Sequence, residues 1–257
     1  MSSEHRFGFE WRIYSKLDPL YETQFKQWVA PLGPGDFKGR IVMDAGCGMG
    51  RNSYWALRWG AGRVTAFDFD ERSVEATRQN LREFSNAIVL LKSIYDIDWC
   101  DEYDIVISIG VIHHLERPHL ALANMVRALR FGGIFLIWVY SHEGNEWITR
   151  LVDPFRKCVT SKLPVRLVHW LSYLCSLPLW GFAKIYRGKN RYIRQLSGSK
   201  FWQIHSIVFD QFIPTIAHYW QKDEVVHLLD GLPLREIRIK HPPNGQGWTV
   251  IAEKSSM

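Results

Sequence analysis

Apolar positions along the first 140 residues fall into two alternating rhythms. Short, nearly continuous β-branched runs read as strands: "RIVMDA" (40–45), "RVTAFDF" (63–69), "NAIVLLKS" (86–93), "YDIVISIGV" (103–111) and "GGIFLIWVY" (132–140). Between them lie longer segments with a helical period. "RNSYWALRWG" reads as a helix closed by Gly60, and "ERSVEATRQNLREF" as a helix with Val74 and Leu81 one heptad apart. "PHLALANMVRALR" reads as a helix with Pro118 in its first turn and Gly132-Gly133 ending it. Strands apolar along their whole length, separated by helices, predict a doubly wound, mostly parallel α/β sheet covered on both faces. At about residue 145 the rhythm stops. Residues 145–215 are rich in Trp, Leu and Arg and hold no strand run. It resumes with a helix, "QKDEVVHLLDG", and two strands, "LREIRIKH" and "GWTVIAE", joined by a hairpin-like turn in "KHPPNGQGW". The pattern predicts seven strands and a helical insertion before the last two. It divides the chain into an N-terminal helical cap (1–34), a core (35–144), the insertion (145–215) and a closing segment (216–257).

Charge sharpens the view of the insertion. Of 257 residues, 32 are basic and 26 acidic, yet no acid stands between Asp153 and Asp210, where ten of the basic residues lie. The remainder is mildly acidic. A single basic segment on such a body predicts one anionic contact surface, not general nucleic-acid binding. Four scattered cysteines (Cys47, Cys100, Cys158, Cys175) without a C-x-x-C pair exclude a disulfide framework and a structural zinc site, and no metal is expected. The charged opening "MSSEHRFGFEWRIY" carries no apolar signal core, so a cytoplasmic protein is expected.

The candidate chemistry begins at "IVMDAGCGMGRNS" (41–53). In a doubly wound sheet, ligands bind at the carboxyl ends of the strands where strand order reverses. Gly46, Gly48 and Gly50 let ligand approach the backbone closely. Their spacing is not the dinucleotide G-x-G-x-x-G, and no Lys-Ser/Thr follows, so the loop is not a phosphate cradle. Asp44, two residues before the first glycine, suits a ligand ammonium. Asp68, ending the second strand 18 residues after Gly50, suits the two hydroxyls of a ribose. A cation and a free ribose without phosphate describe S-adenosylmethionine.

On these residues the chain resembles the class I S-adenosylmethionine-dependent methyltransferases. "VMDAGCGMGR" is similar to their first motif and "VTAFDFDERSVEAT" to their second. "DIVISIGVIHHLERP" resembles the strand-four region of the type 11 or 12 small-molecule branch. The resemblance covers roughly residues 35–140 and implies a Rossmann-like fold. It implies that Asp44, Gly46 and Gly48 surround the methionine part of the cofactor, with Cys47 and Asn52 among the other cofactor contacts. Asp68 holds the ribose, Phe69 packs on the adenine, Ser93 and Ile94 line the adenine edge, and Gly110 closes the floor. Many relatives carry an adenine-binding acid where this chain has Ile94; Asp96 or backbone groups take that part. The product is S-adenosylhomocysteine.

The acceptor side rests on fewer signals. His113 or His114 is expected as a general base on a hydroxyl or phenol. Tyr14, Tyr140, His218 and Tyr219 are expected to contact the acceptor, with Asp210 beside them. Trp11 and Tyr14, in "FGFEWRIYS", are expected as a lid over the cofactor. Residues 167–183 carry no Lys, Arg, Asp or Glu, but they contain Pro178 and Gly181 and fall short of the 20 or so residues a span needs. This segment reads as a lid, as an interfacial element, or as a basic site for a phosphate or carboxylate on the substrate. In the second case Trp and Leu dip into headgroups, and the basic cluster 184–194 meets anionic lipid at the inner face of the membrane.

The expected function is methyl transfer from S-adenosylmethionine to a small, apolar or lipid-linked acceptor, at oxygen or carbon. Two alternatives stand beside it. One is an RNA methyltransferase, disfavoured because strand four ends "SIGV" rather than in N-P-P-aromatic, and because no cysteine pair or RNA-binding domain is present. The other is a non-catalytic cofactor-binding protein.

Overall fold

The computed structural model describes residues 3–189, 191–241 and 245–256. Helices α1 (Ser3–Ile13), α2 (Leu20–Val29) and α3 (Pro34–Phe37) precede the sheet. Then come β1 (Ile41–Ala45), α4 (Arg51–Arg58), β2 (Arg63–Asp68), α5 (Glu71–Leu81), β3 (Ala87–Leu91) and β4 (Tyr103–Ile109). A short 3-10 turn (Ile112–His114) leads to α6 (Pro118–Ala128) and β5 (Leu129–Tyr140). The insertion holds a π turn (Ile148–Val152), α7 (Asp153–Cys158), α8 (Val165–Ile185), α9 (Arg191–Ser197) and α10 (Phe201–Phe212). The chain closes with α11 (Lys222–Leu228), β6 (Leu234–Lys240) and β7 (Gly247–Lys254).

The strands form one seven-stranded sheet in the order β3-β2-β1-β4-β5-β7-β6. Strands β1 to β5 are parallel, and β7 runs antiparallel to both β5 and β6. The doubly wound, mostly parallel fold expected from the sequence is borne out. Strand order reverses between β1 and β4, so the loops after these two strands open onto a shared crevice.

Alternation along each strand supplies a core on either face. On β1, Met43 joins Phe67, Val106, Met125 and Leu122 under α6, while Val42 joins Ile105, Leu136, Phe25 and Ala56 under α2 and α4. Met43, Val42, Ile105 and Phe67 are fully buried.

One boundary departs from the sequence reading. Helix α6 ends at Ala128, and Gly132-Gly133 do not end it; they lie within β5. Tyr103 pairs with Leu129 but Ile105 pairs with Ile134, so β5 carries extra residues at a bulge. Gly133 is required there, because a Cβ would lie 3.0 Å from the Asp104 carbonyl oxygen and 2.9 Å from that of Arg130. Three residues of the "KHPPNGQGW" turn, 242–244, lie outside the described residues.

The insertion packs as a helical layer joined to α1. Helix α8 is continuous through Pro178. The inward face of α8 uses small residues (Ser172, Ser176, Ala183) and Val168, which lets it lie close on Ile204, Val208 and Phe209 of α10. Arg6, on α1, is the staple: its guanidinium donates to the carbonyls of Ile213 (2.6 Å), Thr160 (2.8 Å), Leu163 (3.0 Å) and Ser161 (3.2 Å). Those carbonyls lie at the ends of insertion elements, and among the described residues only that of Thr160, of the four, also accepts a backbone N–H, from Leu163 at 3.3 Å. Arg6→Ala removes a donor from all four and leaves those of Ser161, Leu163 and Ile213 without one, and is expected to lower stability by about 3 kcal/mol. Urea unfolding of the variant is the check, and an unchanged midpoint would deny Arg6 this role.

Candidate active site

The loop after β1 is built by left-handed glycines. Gly46, Gly48 and Gly50 have φ of +77°, +57° and +81°. A Cβ on Gly46 would strike Val111 of the β4 loop at 2.5 Å, and one on Gly48 would meet Trp11 of α1 at 3.0 Å. The glycines therefore admit both neighbours to the loop. Backbone N–H groups of Gly46 and Cys47 donate to the Phe67 carbonyl, each at 2.9 Å. The Gly48 N–H donates to Asp68 Oδ2 at 3.0 Å, and the Asp70 N–H to Asp68 Oδ1 at 3.0 Å. Burial is the main reason that the Asp68 carboxyl is pushed up to about 6, against these two donors. The Phe69 backbone N–H donates to the same carboxylate, which leaves capacity for a further donor.

These elements line one cavity of about 560 Å³, a size that fits a nucleoside cofactor together with a small acceptor. Gly46, Cys47, Gly48, Asn52, Asp68, Phe69, Ser93, Ile94 and Gly110 all face it, as the sequence reading expects for cofactor contacts. Phe69 is half exposed beside Asp68, and Asn52 Oδ1 is buried without a partner. Cys47 is buried and its thiol is pushed up by that burial, so it is a filler of the loop and not a nucleophile. Asp96 is exposed and does not line the cavity.

Asp44 departs from expectation. It lies beneath the loop and does not line the cavity; Ser53 Oγ donates to its Oδ2 at 2.6 Å, and its Oδ1 has no partner. Desolvation pushes its carboxyl up to about 6. Ser53, on the first turns of α4, supplies the donor that the sequence reading assigned to a ligand ammonium.

The histidine pair splits. His114 lines the cavity, with Nδ1 held by the Ile216 carbonyl at 2.8 Å, so that Nδ1 donates and Nε2 is the bare nitrogen. Burial pushes its pKa down to about 3. His113 is fully buried behind it and stacks on Tyr140 at 3.7 Å; its Nδ1 accepts from the Tyr140 N–H at 3.3 Å. His113 therefore positions Tyr140 and does not line the cavity, which removes it as a catalytic base.

Of the expected acceptor contacts, Tyr140 and Tyr219 line the cavity, their rings stacked at 5.3 Å. Tyr14 does not: it is buried between α1 and the insertion, its hydroxyl 3.1 Å from His169 Nε2. His218 also misses the cavity and stacks on Trp220 at 5.3 Å. Trp11 does cover the glycine loop from α1.

Sequence reasoning missed Glu10 and Arg51. Glu10 lines the cavity from α1, fully buried. The Arg51 guanidinium stacks near Trp28 (4.9 Å), Trp11 (5.3 Å) and Tyr21 (5.5 Å). Arg51 follows the third glycine directly and could have been flagged from the motif. Glu10 gives no local signal, because its partner Ser206 is 196 residues away.

Comparison with known proteins bears on this geometry. A family model described as "Methyltransferase domain" matches residues 43–137, which hold the glycine loop, Asp68 and the β4 loop. That match runs from β1 into β5 and is a likeness to the domain, not to a whole protein. The fold of the chain also matches solved class I methyltransferases. Magnesium protoporphyrin IX methyltransferase of Synechocystis, with bound S-adenosylhomocysteine, has a TM-score of 0.57 at 14% identity, covering 96% of this chain and 93% of that one. A possible histamine N-methyltransferase of Thermotoga maritima has 0.56 at 15%, covering 98% and 100%. In sequence, the tRNA U34 carboxymethyltransferase of Shewanella baltica is 30% identical over 140 residues, 53% of this chain and 39% of that protein. An uncharacterised Synechococcus protein is 30% identical over 117 residues, 44% and 28%. The chain spans well under half the length of these curated relatives.

The buried acid under the methyltransferase loop generates a test. Asp44 ionises in the folded state near pH 6 and in the unfolded chain near its ordinary 3.8, so its ionisation costs stability above that window. Asp44→Asn, which keeps an acceptor for Ser53, is expected to be more stable than the parent at pH 7.5. The advantage should shrink to nothing as the pH falls towards 4. Urea midpoints at both pH values read this directly.

Proposed function

We propose that the chain is a methyltransferase that transfers the methyl group of S-adenosylmethionine to a small, apolar or lipid-linked acceptor. The carrying observation is Asp68 at the end of β2, bridged to the Gly48 N–H, at one side of a cavity whose other side is aromatic and aliphatic. Asp68 would hold the ribose hydroxyls, Phe69 and the Ser93–Ile94 segment would flank the adenine, and the Gly46–Gly48 backbone with Asn52 would receive the methionine part. When bound, the cofactor supplies an electrophilic sulfonium methyl. The protein's share is alignment and exclusion of water. Trp11 covers the loop, while Trp138, Tyr140 and Tyr219, with Leu179, Leu196 and Ile207 from the insertion, make an apolar acceptor space. Asp68→Ala is expected to weaken S-adenosylmethionine binding about a hundredfold, through loss of two hydrogen bonds to a charged group. Calorimetry showing parental affinity would overturn the cofactor assignment.

The reading includes contact with an anionic membrane surface. Helix α8, about 31 Å long, turns Leu167, Trp170, Leu171, Leu174, Leu177 and Ile185 to solvent; Leu174 is 72% and Trp170 69% exposed. Exposed Lys162, Arg166, Lys184, Arg187 and Lys189 stand beside this stripe, with no acid anywhere between Asp153 and Asp210. Among the described residues no helix is long and apolar enough to cross a membrane, so the contact would be superficial. Leu179 of the same helix lines the cavity, which would give a lipid-borne acceptor a short path inward. The protein is expected to sediment with phosphatidylserine-containing vesicles and not with purely zwitterionic ones. The double variant Trp170→Glu/Leu174→Glu should reduce that binding about tenfold.

A further inference from the structure

A carboxylate pair faces the acceptor end of the cavity. Glu10 comes from α1 and Asp210 from α10, 200 positions apart, and both line the cavity wall. Ser206, one turn before Asp210 on α10, donates to Glu10 Oε1 at 2.8 Å. The Tyr140 hydroxyl donates to Asp210 Oδ2 at 3.0 Å. Glu10 Oε2, on a residue with no exposure, has no partner. An unpaired buried oxygen beside a second acid in an open cavity implies a ligand group that completes it.

We propose that Asp210 takes the proton of a hydroxyl-bearing acceptor as the acceptor oxygen gains the methyl group, with Glu10 beside it as a protonated, positioning neighbour. The proposal rests on the methyl-transfer reading. The acceptor O–H bond breaks and its proton passes to the ionised Asp210 carboxylate. The oxygen's lone pair forms the O–CH₃ bond as the S–CH₃ bond breaks, and the sulfur keeps that bond's electron pair. Positive charge on the sulfonium is discharged, and Asp210 later returns the proton to water.

The charges around the pair support this division. Asp210 is pushed up to about 6 by burial, opposed by the Tyr140 hydrogen bond and by the Arg51 and Arg156 charges. Glu10 is raised well above its ordinary value by burial and by the Asp210 charge, with Ser206 and Arg51 opposing. Tyr14 and Tyr21 near Glu10, and Tyr140 and Tyr219 near Asp210, are all held as neutral phenols. Near neutral pH Asp210 therefore carries the negative charge and Glu10 keeps its proton. A base of this strength matches its task, whereas His114, pushed down to about 3, is too weak a base. Arg51 already supplies a cation here, so a neutral hydroxyl fits better than an ammonium group.

The test uses S-adenosylmethionine labelled in its methyl group, the full-length protein, and an organic-solvent extract of the source cells as the acceptor mixture. Label transferred into base-stable ether products is expected from the parent, with a rate that falls below pH 6 as Asp210 is protonated. Asp210→Asn should lose about a hundredfold or more in transfer while binding S-adenosylmethionine within twofold of the parent. Glu10→Gln, which copies the protonated acid, should keep the acidic limb near pH 6, and loss of that limb in this variant would assign the titration to Glu10 and overturn the proposal. Transfer by Asp210→Asn at the parental rate, or a parental rate flat from pH 5 to 8, would overturn the proposal. Failure of the parent to bind S-adenosylmethionine in the calorimeter would instead overturn the methyl-transfer reading itself.

Discussion

The structure depends on a carboxylate holding a backbone. Asp68 accepts the Gly48 and Asp70 N–H groups, while the Phe67 carbonyl accepts those of Gly46 and Cys47. The end of β2 thus fixes the loop after β1, in a left-handed conformation that side chains other than glycine disfavour. Because no Cβ projects from Gly46 or Gly48, Val111 and Trp11 close onto the loop from two sides. One local constraint therefore sets where the cofactor cradle lies, where the N-terminal helix rests and how near the β4 loop comes. Burying that carboxylate is costly, and the cost is tolerated because its oxygens are oriented before any ligand arrives.

What was legible in the sequence was local. Strands buried on both faces have to be apolar along their length, so β1, β2, β4 and β5 announced themselves. Strand β3 is as apolar although it is an edge strand with Ile88 and Leu91 exposed. A loop of alternating glycines announced the crevice. The expected cofactor contacts that line the cavity follow from that loop and lie within residues 46–110. Asp44 was misread because charge was weighed without a competing internal donor; Ser53, nine positions on, had already met it. The His113–His114 pair shows a second limit. Two neighbours on a 3-10 turn point in different directions, and only one of them lines the cavity. Gly132-Gly133 looked like a helix stop and proved to be a bulge, because the same residue permits both.

The acceptor side was illegible for a different reason. Glu10, Tyr140 and Asp210 meet across some 200 residues, through helices whose own periodicity says nothing about partners. Helix α8 is the extreme case. Its inner face sets the small Ser172, Ser176 and Ala183 among Val168, Leu179 and Trp180, which lets α10 approach, while Leu167, Trp170, Leu171, Leu174, Leu177 and Ile185 lie on the outside. A reader of hydropathy alone sees one apolar segment; packing divides it into a contact face and an exposed large-residue surface. Pro178 does not break the helix, since the only backbone bond it removes lies within an element anchored at both ends by α10.

Arg51 connects the two sides. A cation in the first turn of α4 faces the positive end of the helix dipole, an unfavourable place by itself. Three aromatic faces and the acids Asp44, Glu10 and Asp210 offset that penalty. Its charge opposes the burial that raises all three carboxyls, yet among the described residues it forms no ion pair with any of them. A stronger, direct salt bridge would leave Asp210 too weak a base to take a proton. Without the Arg51 charge, Asp210 would hold its proton to higher pH. A guanidinium held at a distance by aromatic rings keeps the acid between these limits, and this is the physical argument for Trp11, Tyr21 and Trp28 standing where they do.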